Sequence, residues 1–242
     1  MTAPRASSPE RRRGSRSATP ITAEAIVDTA FALIDQGGQD AFSMRSVAAE
    51  LGVFPATLYW HVGDRAKLLG LVELQWVKGI ELPAASDDWR EWMLELARRY
   101  RAHARRHPHV ARLVALERAR NVDSLAIPDA IVGVLATLGL GDDIVHAYNA
   151  LMGAVRGFVL LELSMAVRPP LPAEADDVEQ DLRGIDEAAL PNIAEHFSLF
   201  ADRALSIRWS EGSADSLDDS FEYLLGLLLD GVAARMPKRE GP

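Results

Sequence analysis

Apolar residues recur at spacings of three and four along most of this chain, and short segments rich in glycine, proline and acidic residues interrupt them. That spacing is the period of amphipathic helices rather than of strands. Alanine, leucine and valine are abundant and aromatic residues make up only 7%, which also favours helices. The pattern therefore predicts an all-α fold.

The stretch from Ser43 to Leu69 carries the most specific pattern. Ser43 is a good N-cap for a short helix, Gly52 suits the end of that helix, and Pro55 suits the first turn of the next. The second helix includes Thr57 to His61, where a hydroxyl, a phenol, an indole and an imidazole are all able to contact a duplex. This is the layout of a helix-turn-helix whose second helix enters the major groove of DNA.

Two cations begin the following helix. Asp64 is predicted to cap it, and Arg65 and Lys67 fall in its first turn. The helix macrodipole disfavours positive charge at that end. Contact with a phosphate would explain their position.

The segment from Ile21 to about Ile80 resembles the DNA-binding domain of the TetR family of transcriptional repressors. The resemblance is carried by an alanine- and leucine-rich first helix, the Leu-Gly-Val turn at 51–53, the Thr-Leu-Tyr-Trp-His-Val run at 57–62 and an acid-capped fourth helix. The run at 57–62 is most similar to the tetracycline-repressor branch. Over the remainder of the chain the resemblance is architectural.

The resemblance implies an order of domains. A three-helix DNA-binding domain with the helix-turn-helix occupies 21–70, and a helical ligand-binding and dimerisation domain occupies 71–236. A disordered arginine-rich arm at 1–20 precedes them, and a tail at 237–242 follows.

The DNA-contacting residues implied by the resemblance are Ser43, Arg45, Thr57, Tyr59, Trp60, His61 and Arg65. Three of them have a structural alternative: Ser43 as a cap alone, Trp60 with its ring half in the core, and His61 as a surface histidine without a role. The segment Phe54-Pro55-Ala56 stands where the tetracycline repressor has polar groups that contact bases. Base discrimination is therefore expected to rest more on thymine methyl groups, and the operator does not carry over.

Charge is distributed unevenly along the chain. The total is −9, whereas residues 1–20 hold five arginines and one glutamate, a charge of +4. The segment 21–70 has three cations against six acids, which is weak for a domain that binds DNA. We therefore expect the arm to follow the DNA backbone or enter a minor groove through Arg11, Arg12, Arg13 and Arg16. A solvated tail is the alternative.

A long helix is predicted after a cap at Asp87 or Asp88, with aromatic and histidine side chains on one face. Arginines occupy the opposite face, which we expect to be solvated and to pair with the acidic C-terminal half. His103 and His107 could share a metal ion, but no carboxylate lies between them, and we expect no metal and no cofactor. The candidate ligand-binding residues are Trp76, Trp92, Leu96, Tyr100, His103, His107, Asn149, Met152 and Arg156.

Arg156 interrupts a predicted helix, 142–167, that is apolar almost all round. Burying an unpaired charge costs several kcal/mol, so this guanidinium needs a partner. Two kinds of partner are open: an internal carboxylate such as Glu162 or Asp230, or an anionic or carbonyl-bearing ligand. Asn149 lies one heptad earlier on the same side, which predicts a small polar patch.

The last predicted helix, 215–236, also has a wide apolar face. In the TetR family the closing helix and the apolar helix before it pack against their symmetry mates as a four-helix dimer interface. The residues implied for this interface are Leu151, Val155, Phe158, Val159, Phe221, Leu224, Leu225, Leu228 and Val232.

The predicted function is that of a ligand-responsive repressor that binds a palindromic operator in double-stranded DNA as a homodimer. A small-molecule inducer would release it. The drug–magnesium site of the family is not reproduced, because Val114 and a residue near Arg156 stand in place of its histidine ligands, so tetracycline–magnesium is not the expected inducer. The alternative is a regulator without a small-molecule ligand, which acts through a protein partner or as an activator.

Other classes of protein find little support in the sequence. It contains no phosphate loop, nucleophile elbow or credible carboxylate pair, so we expect no enzyme activity. The absence of cysteine excludes disulfides. Without a run of 18 apolar residues or a signal peptide, the expectation is a cytoplasmic protein that does not enter a membrane.

Overall fold

A computed structural model describes residues 21–116, 122–166, 180, 184–201 and 217–237. These residues form ten α-helices and two short 3-10 turns, and no strand. The helices are α1 (Ala23–Ala41), α2 (Met44–Glu50), α3 (Pro55–Val62), α4 (Arg65–Lys78), α5 (Trp89–Arg106), α6 (Pro108–Leu116), α7 (Ala126–Ala136), α8 (Ile144–Ala166), α9 (Pro191–Phe200) and α10 (Asp218–Ala233). The predicted all-α fold is confirmed.

Local chemistry sets where the first helices begin and end. The Ser43 hydroxyl accepts from the Ser46 amide at 3.0 Å and the Ser46 hydroxyl accepts from the Ser43 amide at 2.8 Å, a reciprocal capping box that begins α2. Gly52 adopts a φ of 68° between α2 and α3, where a side chain would be strained. Asp64 caps α4 by accepting from the Lys67 amide at 2.8 Å.

A break divides α1 where the sequence predicts that its first helical segment ends. Gly37 and Gly38 are predicted to stop the helix, and Gly38 leaves the helical region with a φ of 70° before a short second segment that ends at Ala41. Gly38 is the single residue of α1 outside the helical region. The glycine absorbs the break, and the helix resumes after it.

Helices α1 to α4 fold around a small core. Ile26 and Ile34 of α1, Val47 of α2, Leu58 of α3 and Leu68 of α4 are all fully buried. Burial of side chains of this size stabilises a fold by roughly 1.5–3 kcal/mol each. Because Leu58 anchors the inner side of α3, the opposite side of that helix faces outward.

Helices α5 to α10 form the body of the protein. Its central helix is α8, which packs against α5, α6, α7 and α10. The inward residues Leu151, Val155 and Val159 of α8 are buried. The body is therefore organised around one face of α8.

A buried ion-pair network joins three helices of the body. Arg101 of α5 and Glu162 of α8 form a bidentate pair with N–O distances of 2.9 and 2.7 Å, and Arg101 also reaches Asp218 of α10 at 2.8 Å. Arg105 donates to the same Glu162 at 2.8 Å. Only 7% of the Arg101 side chain is exposed. The predicted solvated arginine face of α5 is therefore wrong at Arg101, although its pairing with Asp218 agrees with the expected attraction to the acidic C-terminal half.

Helices α4 and α6 connect the body to the first three helices. α6 packs more extensively against α1 than against any other helix, and it also contacts α4, α5 and α8. Near the end of α4, the Trp76 ring lies 5.5 Å from the Tyr100 ring of α5 in an edge-on contact. A displacement of α4 or α6 within the body would therefore also move α1, which packs against both of them and against α3.

The stretch Gly141–Ser164, which includes most of α8, is long and apolar enough to cross a membrane by length and composition. Core helices of soluble proteins meet the same criteria. The inner side of α8 packs against four helices, whereas Val145 and Leu161 on its other side are exposed. α8 is therefore a core helix with one uncovered apolar face and not a membrane span.

Candidate DNA-binding surface and ligand cavity

The outer side of α3 carries large aromatic side chains that the chain does not cover. Trp60 is 88% exposed and Tyr59 is 52% exposed, and Phe54 at the N-cap of α3 is 83% exposed. The exposed His61 ring lies 5.9 Å from the Trp60 ring. Uncovered apolar groups on this scale are typical of an interaction surface.

The expectation that the Trp60 ring lies half in the core is wrong. Leu58 and Val62 occupy the inward positions of α3, and Trp60 is two residues from each of them. Two residues correspond to about 200° around an α-helix. Trp60 therefore points away from the core. Thr57, another predicted DNA contact, lies one residue before Leu58 and is half-buried.

Two predicted DNA-contacting cations lie on the helices next to α3. Arg45 in α2 and Arg65 in α4 are both exposed. The Arg65 guanidinium lies 5.1 Å from the centre of the Phe42 ring. Because Phe42 directly precedes Ser43, this contact holds Arg65 beside the cap of α2, where Ser43 is itself exposed.

The arginine-rich arm is outside the described residues. Its predicted contacts, Arg11, Arg12, Arg13 and Arg16, therefore have no structural description, and the same is true of the tail from 238 onward.

A cavity lies in the body between α5, α7, α8 and α10. The space open to the centres of water-sized molecules is about 50 Å³, which is small beside the roughly 300–1,000 Å³ of typical small-molecule sites. The wall is apolar except for Tyr100 and Arg156. Of the predicted ligand-binding residues, Leu96, Tyr100, Met152 and Arg156 line it.

Arg156 is held at the cavity wall by groups without a negative charge. Its Nη2 donates to the carbonyl oxygens of Val114 and Ala115 at 3.1 and 3.2 Å. Both carbonyls belong to the last turn of α6, where helical carbonyls lack amide partners. The Tyr100 side chain shares the cavity wall with this guanidinium. Burial raises the pKa of the Tyr100 hydroxyl, and its interaction with the Arg156 charge acts in the opposite direction.

The two carboxylates predicted as internal partners of Arg156 are paired elsewhere. Glu162 binds Arg101 in the buried network, and Asp230 binds Arg90. The prediction of an internal carboxylate is therefore wrong for both residues. Both carboxylates point toward arginines of α5 and not toward Arg156 in the cavity wall.

Three other predicted ligand-binding residues form a ring cluster between the DNA-binding helices and the body. The His103 ring lies 5.0 Å from the Trp76 ring and 5.1 Å from the His107 ring. His107 Nδ1 is 2.9 Å from Asp35 Oδ2 of α1. Burial lowers the pKa of His103, and the charge of Arg106 acts in the same direction. These residues lie outside the wall of this cavity, and their contact with a ligand stays a prediction.

Trp92 and Asn149, also predicted to contact the ligand, lie outside the wall of this cavity as well. Trp92 is buried but is not part of the cavity wall, and Asn149 is exposed. A heptad places Asn149 on the same side of α8 as Arg156, but it also moves the residue about 10 Å along the helix axis. The sequence pattern thus gave the direction of the Asn149 side chain around α8 correctly but not its position along the helix axis.

The cavity includes residues that the sequence pattern did not single out. Met93 and Ala97 complete a stripe on α5 with Leu96 and Tyr100 at helical spacing, a signal that was present in the sequence. By contrast, Ile127 and its neighbours on α7 are apolar residues in an apolar helix, which gave no local sign of a cavity.

The predicted dimer residues divide into two groups. Phe158, Leu224 and Leu228 are partly exposed. The other six are buried within the single chain and are not available to a second copy: Leu151, Val155, Val159, Phe221, Leu225 and Val232. The prediction is wrong for these six because the strongest apolar stripes of α8 and α10 pack inside the body.

The uncovered faces of α8 and α10 are also apolar. Val145, Leu161, Tyr223 and Leu227 are each more than half exposed. The glycines of these helices also border open space, since a Cβ added at Gly153, Gly157 or Gly226 would meet no atom within 4 Å. Another helix could approach this surface closely.

Two family models match this chain. Residues 26–72 match the model described as bacterial regulatory proteins, tetR family. Residues 82–236 match the model described as tetracyclin repressor-like, C-terminal domain. The second match alone includes more than half of the chain.

Individual proteins show the same likeness. An HTH-type transcriptional regulator of Saccharopolyspora erythraea is 31% identical over 151 residues, which span 61% of this chain and 64% of that protein. The class A tetracycline repressor from transposon 1721, of Escherichia coli, is 26% identical over 223 residues, 90% of this chain and 93% of that one. The crystal structure of the TetR family protein ActR of Streptomyces coelicolor in complex with (S)-DNPA covers 90% of this chain and 100% of its own, with a TM-score of 0.72 and 26% identity.

The family matches extend over both the helix-turn-helix and the body that contains the cavity. The protein belongs to the TetR family of transcriptional regulators.

Proposed function

We propose that this protein is a repressor that binds a palindromic operator in double-stranded DNA as a homodimer and leaves it when a small molecule occupies the body. The observation that carries the proposal is the uncovered aromatic side of α3, which faces outward because Leu58 and Val62 are buried. In this proposal Thr57, Tyr59, Trp60 and His61 contact the groove. Ser43, Arg45 and Arg65 contact phosphates, and the arm at 1–20 adds charge.

The cavity supports the ligand-responsive part of the proposal. ActR, which is similar to this chain over its whole length, has been crystallised with (S)-DNPA and with actinorhodin. An apolar cavity between four helices of the same kind of body favours regulation by a small molecule over regulation by a protein partner alone. Val114 and a residue near Arg156 stand in place of the histidine ligands of the family's drug–magnesium site, so the proposed effector is not tetracycline–magnesium. No cofactor and no enzyme activity are part of the proposal, and the protein would act in the cytoplasm.

The contacts of the cavity wall suggest how occupancy would reach DNA. Tyr100 contacts the Trp76 ring of α4, and Arg156 binds the end of α6, whose most extensive packing is against α1. A ligand that alters these contacts would favour a state with the two recognition helices out of register with successive major grooves, about 34–36 Å apart. Release would then follow from its differential affinity for the two states.

The homodimer is proposed through the uncovered faces of α8 and α10. These faces combine the exposed Leu161, Tyr223 and Leu227 with glycines that border open space. A second copy of the same two faces would cover them by twofold symmetry. Replacement of Gly157 by Arg is expected to give monomers in sedimentation equilibrium, and a protein that stays dimeric would locate the interface elsewhere.

DNA recognition can be tested by selecting bound fragments from the organism's own genome and measuring fluorescence-anisotropy titrations on the selected sequence. The wild-type protein is expected to prefer the selected palindrome over random DNA. Trp60→Ala should weaken that binding by about 10- to 100-fold, since a base contact contributes roughly 1–3 kcal/mol. A version without residues 1–20 measures the contribution of the arm.

The matched control is Leu199→Ala, which removes an exposed apolar side chain from α9 of the body. It should leave DNA affinity unchanged. If Trp60→Ala also leaves affinity unchanged, or if no sequence is enriched, α3 is not the recognition helix.

A further inference from the structure

Arg156 brings a permanent positive charge to a cavity that is otherwise almost wholly apolar. Its guanidinium has five N–H donors. Nη2 donates to the carbonyl oxygens of Val114 and Ala115, and the Tyr100 side chain shares the cavity wall. None of these carries a negative charge. Within the described ranges, no carboxylate lies at ion-pair distance from Arg156.

Five arginines of α5 differ in this respect. Arg90, Arg98, Arg99, Arg101 and Arg105 each bind at least one carboxylate at 3.4 Å or less. Those that are exposed could have relied on solvent, yet they are paired. Among the described residues, the partly buried Arg156 is held by neutral acceptors.

We propose that the ligand of this cavity is an apolar organic molecule with one anionic oxygen group, such as a carboxylate, which binds to Arg156 and Tyr100. This inference rests on the proposed function of the cavity as the effector site. The apolar walls, including Leu96, Val155 and Leu225, cover the body of the ligand. The guanidinium then forms charge-assisted hydrogen bonds, which are about twice as strong as neutral ones, and the protonated Tyr100 hydroxyl can donate to the same group.

Two fluorescent probes with the same ring system separate anion binding from apolar burial. One is 1-anilinonaphthalene-8-sulfonate, and the other is N-phenyl-1-naphthylamine, which lacks the sulfonate. Titration of wild-type protein with each probe gives a ratio of two dissociation constants. In Arg156→Gln we expect the sulfonate probe to bind on the order of tenfold more weakly, with less than a twofold change for the neutral probe.

The matched control is Arg235→Gln. Arg235 also donates to a main-chain carbonyl, that of Gly231, at 3.0 Å, but it is not part of the cavity wall. Its replacement should leave the ratio unchanged, which shows that any change in Arg156→Gln comes from the cavity and not from net charge.

The outcomes separate this inference from the function on which it rests. An unchanged ratio in Arg156→Gln, with saturable binding of both probes, overturns the anionic ligand class and leaves the cavity as an effector site. Failure of the wild-type protein to bind either probe at one site per chain counts against the effector site itself.

If Arg156→Gln binds neither probe, the cavity has collapsed in that variant. The ratio of the two dissociation constants is then measured in Tyr100→Phe instead. This variant keeps the ring against Trp76 and removes only the hydroxyl. A severalfold selective loss of the sulfonate probe supports the inference, and an unchanged ratio overturns it.

Discussion

Two arginines of the body differ in the groups that surround their positive charge, which are carboxylates in one case and neutral acceptors in the other. Arg101 lies in a closed network with Glu162 and Asp218, and its guanidinium is 4.6 Å from the centre of the Phe221 ring. Arg156 lies at the wall of an open cavity that Tyr100 also lines, and it binds two carbonyl oxygens. The first charge is neutralised inside the chain, and the second is not.

This difference between Arg101 and Arg156 indicates which of the two positive charges is available to a ligand. Removing a guanidinium from water is costly, and a carboxylate with good geometry offsets most of that cost. Around Arg101 two carboxylates, Glu162 and Asp218, supply this compensation, and the residue joins α5 to α8 and α10. Around Arg156 the offset is partial, and the remaining attraction is directed at the space where a ligand would lie.

The largest expected effect is from breaking the closed network. Glu162→Gln removes the carboxylate shared by Arg101 and Arg105, and we expect the free energy of unfolding to fall by about 3 kcal/mol because buried charges lose their partner. Urea denaturation at a fixed protein concentration measures it. A loss below about 1 kcal/mol would mean that the network behaves as a surface ion pair.

A smaller effect is expected from Arg156→Gln. The variant loses hydrogen bonds to neutral acceptors and leaves no carboxylate unpaired, so its unfolding free energy should fall by about 1 kcal/mol. The same urea titration provides the comparison. A loss as large as that of Glu162→Gln would make Arg156 primarily the cap of α6.

The predictability of the two regions from sequence also differs, for a physical reason. The helix-turn-helix depends on local signals, and the cap at Ser43, the turn at Gly52 and the cap at Asp64 are all confirmed. The partners Arg101 and Glu162 are 61 residues apart, and no local pattern couples them. Asn149 shows the same limit, because helical periodicity gives the direction of a side chain without its distance from the cavity.

His103 offers a third way to bury a basic group, which is to keep it neutral. Burial lowers its pKa from the ordinary value of 6.5, and the charges of His107 and Arg106 add to the effect, with Asp35 opposing it. The unfolded chain therefore binds this proton more readily than the folded protein does. The His103 contribution to stability should be complete above about pH 6.5 and should decrease as the pH falls below that value.

The check is the slope of unfolding free energy against pH in the wild-type protein and in His103→Leu, which cannot titrate at this position. The variant should have a shallower slope below pH 6.5. Identical slopes would show that His103 takes up its proton in the folded state as easily as in the unfolded one.

The smallest effect is expected at the surface of the same helix. Arg98 and Glu222 form a bidentate pair at 2.9 and 2.8 Å, but both side chains are more than 40% exposed. Glu222→Gln should therefore change the unfolding free energy by less than about 1 kcal/mol. A larger loss would show that exposure is a poor guide to the value of these pairs and would weaken the contrast drawn between Arg101 and Arg156.

The coupling between cavity and recognition helix is tested most directly by measuring how DNA changes binding in the cavity. The affinity of 1-anilinonaphthalene-8-sulfonate is measured for the free protein, with saturating operator, and with the same amount of scrambled DNA. Binding free energies are linked reciprocally, so an effector site coupled to DNA release by about 1–3 kcal/mol must lose affinity about 5- to 150-fold when the operator is bound. We predict a severalfold weaker probe affinity with the operator alone, and equal affinities under all three conditions would contradict the account.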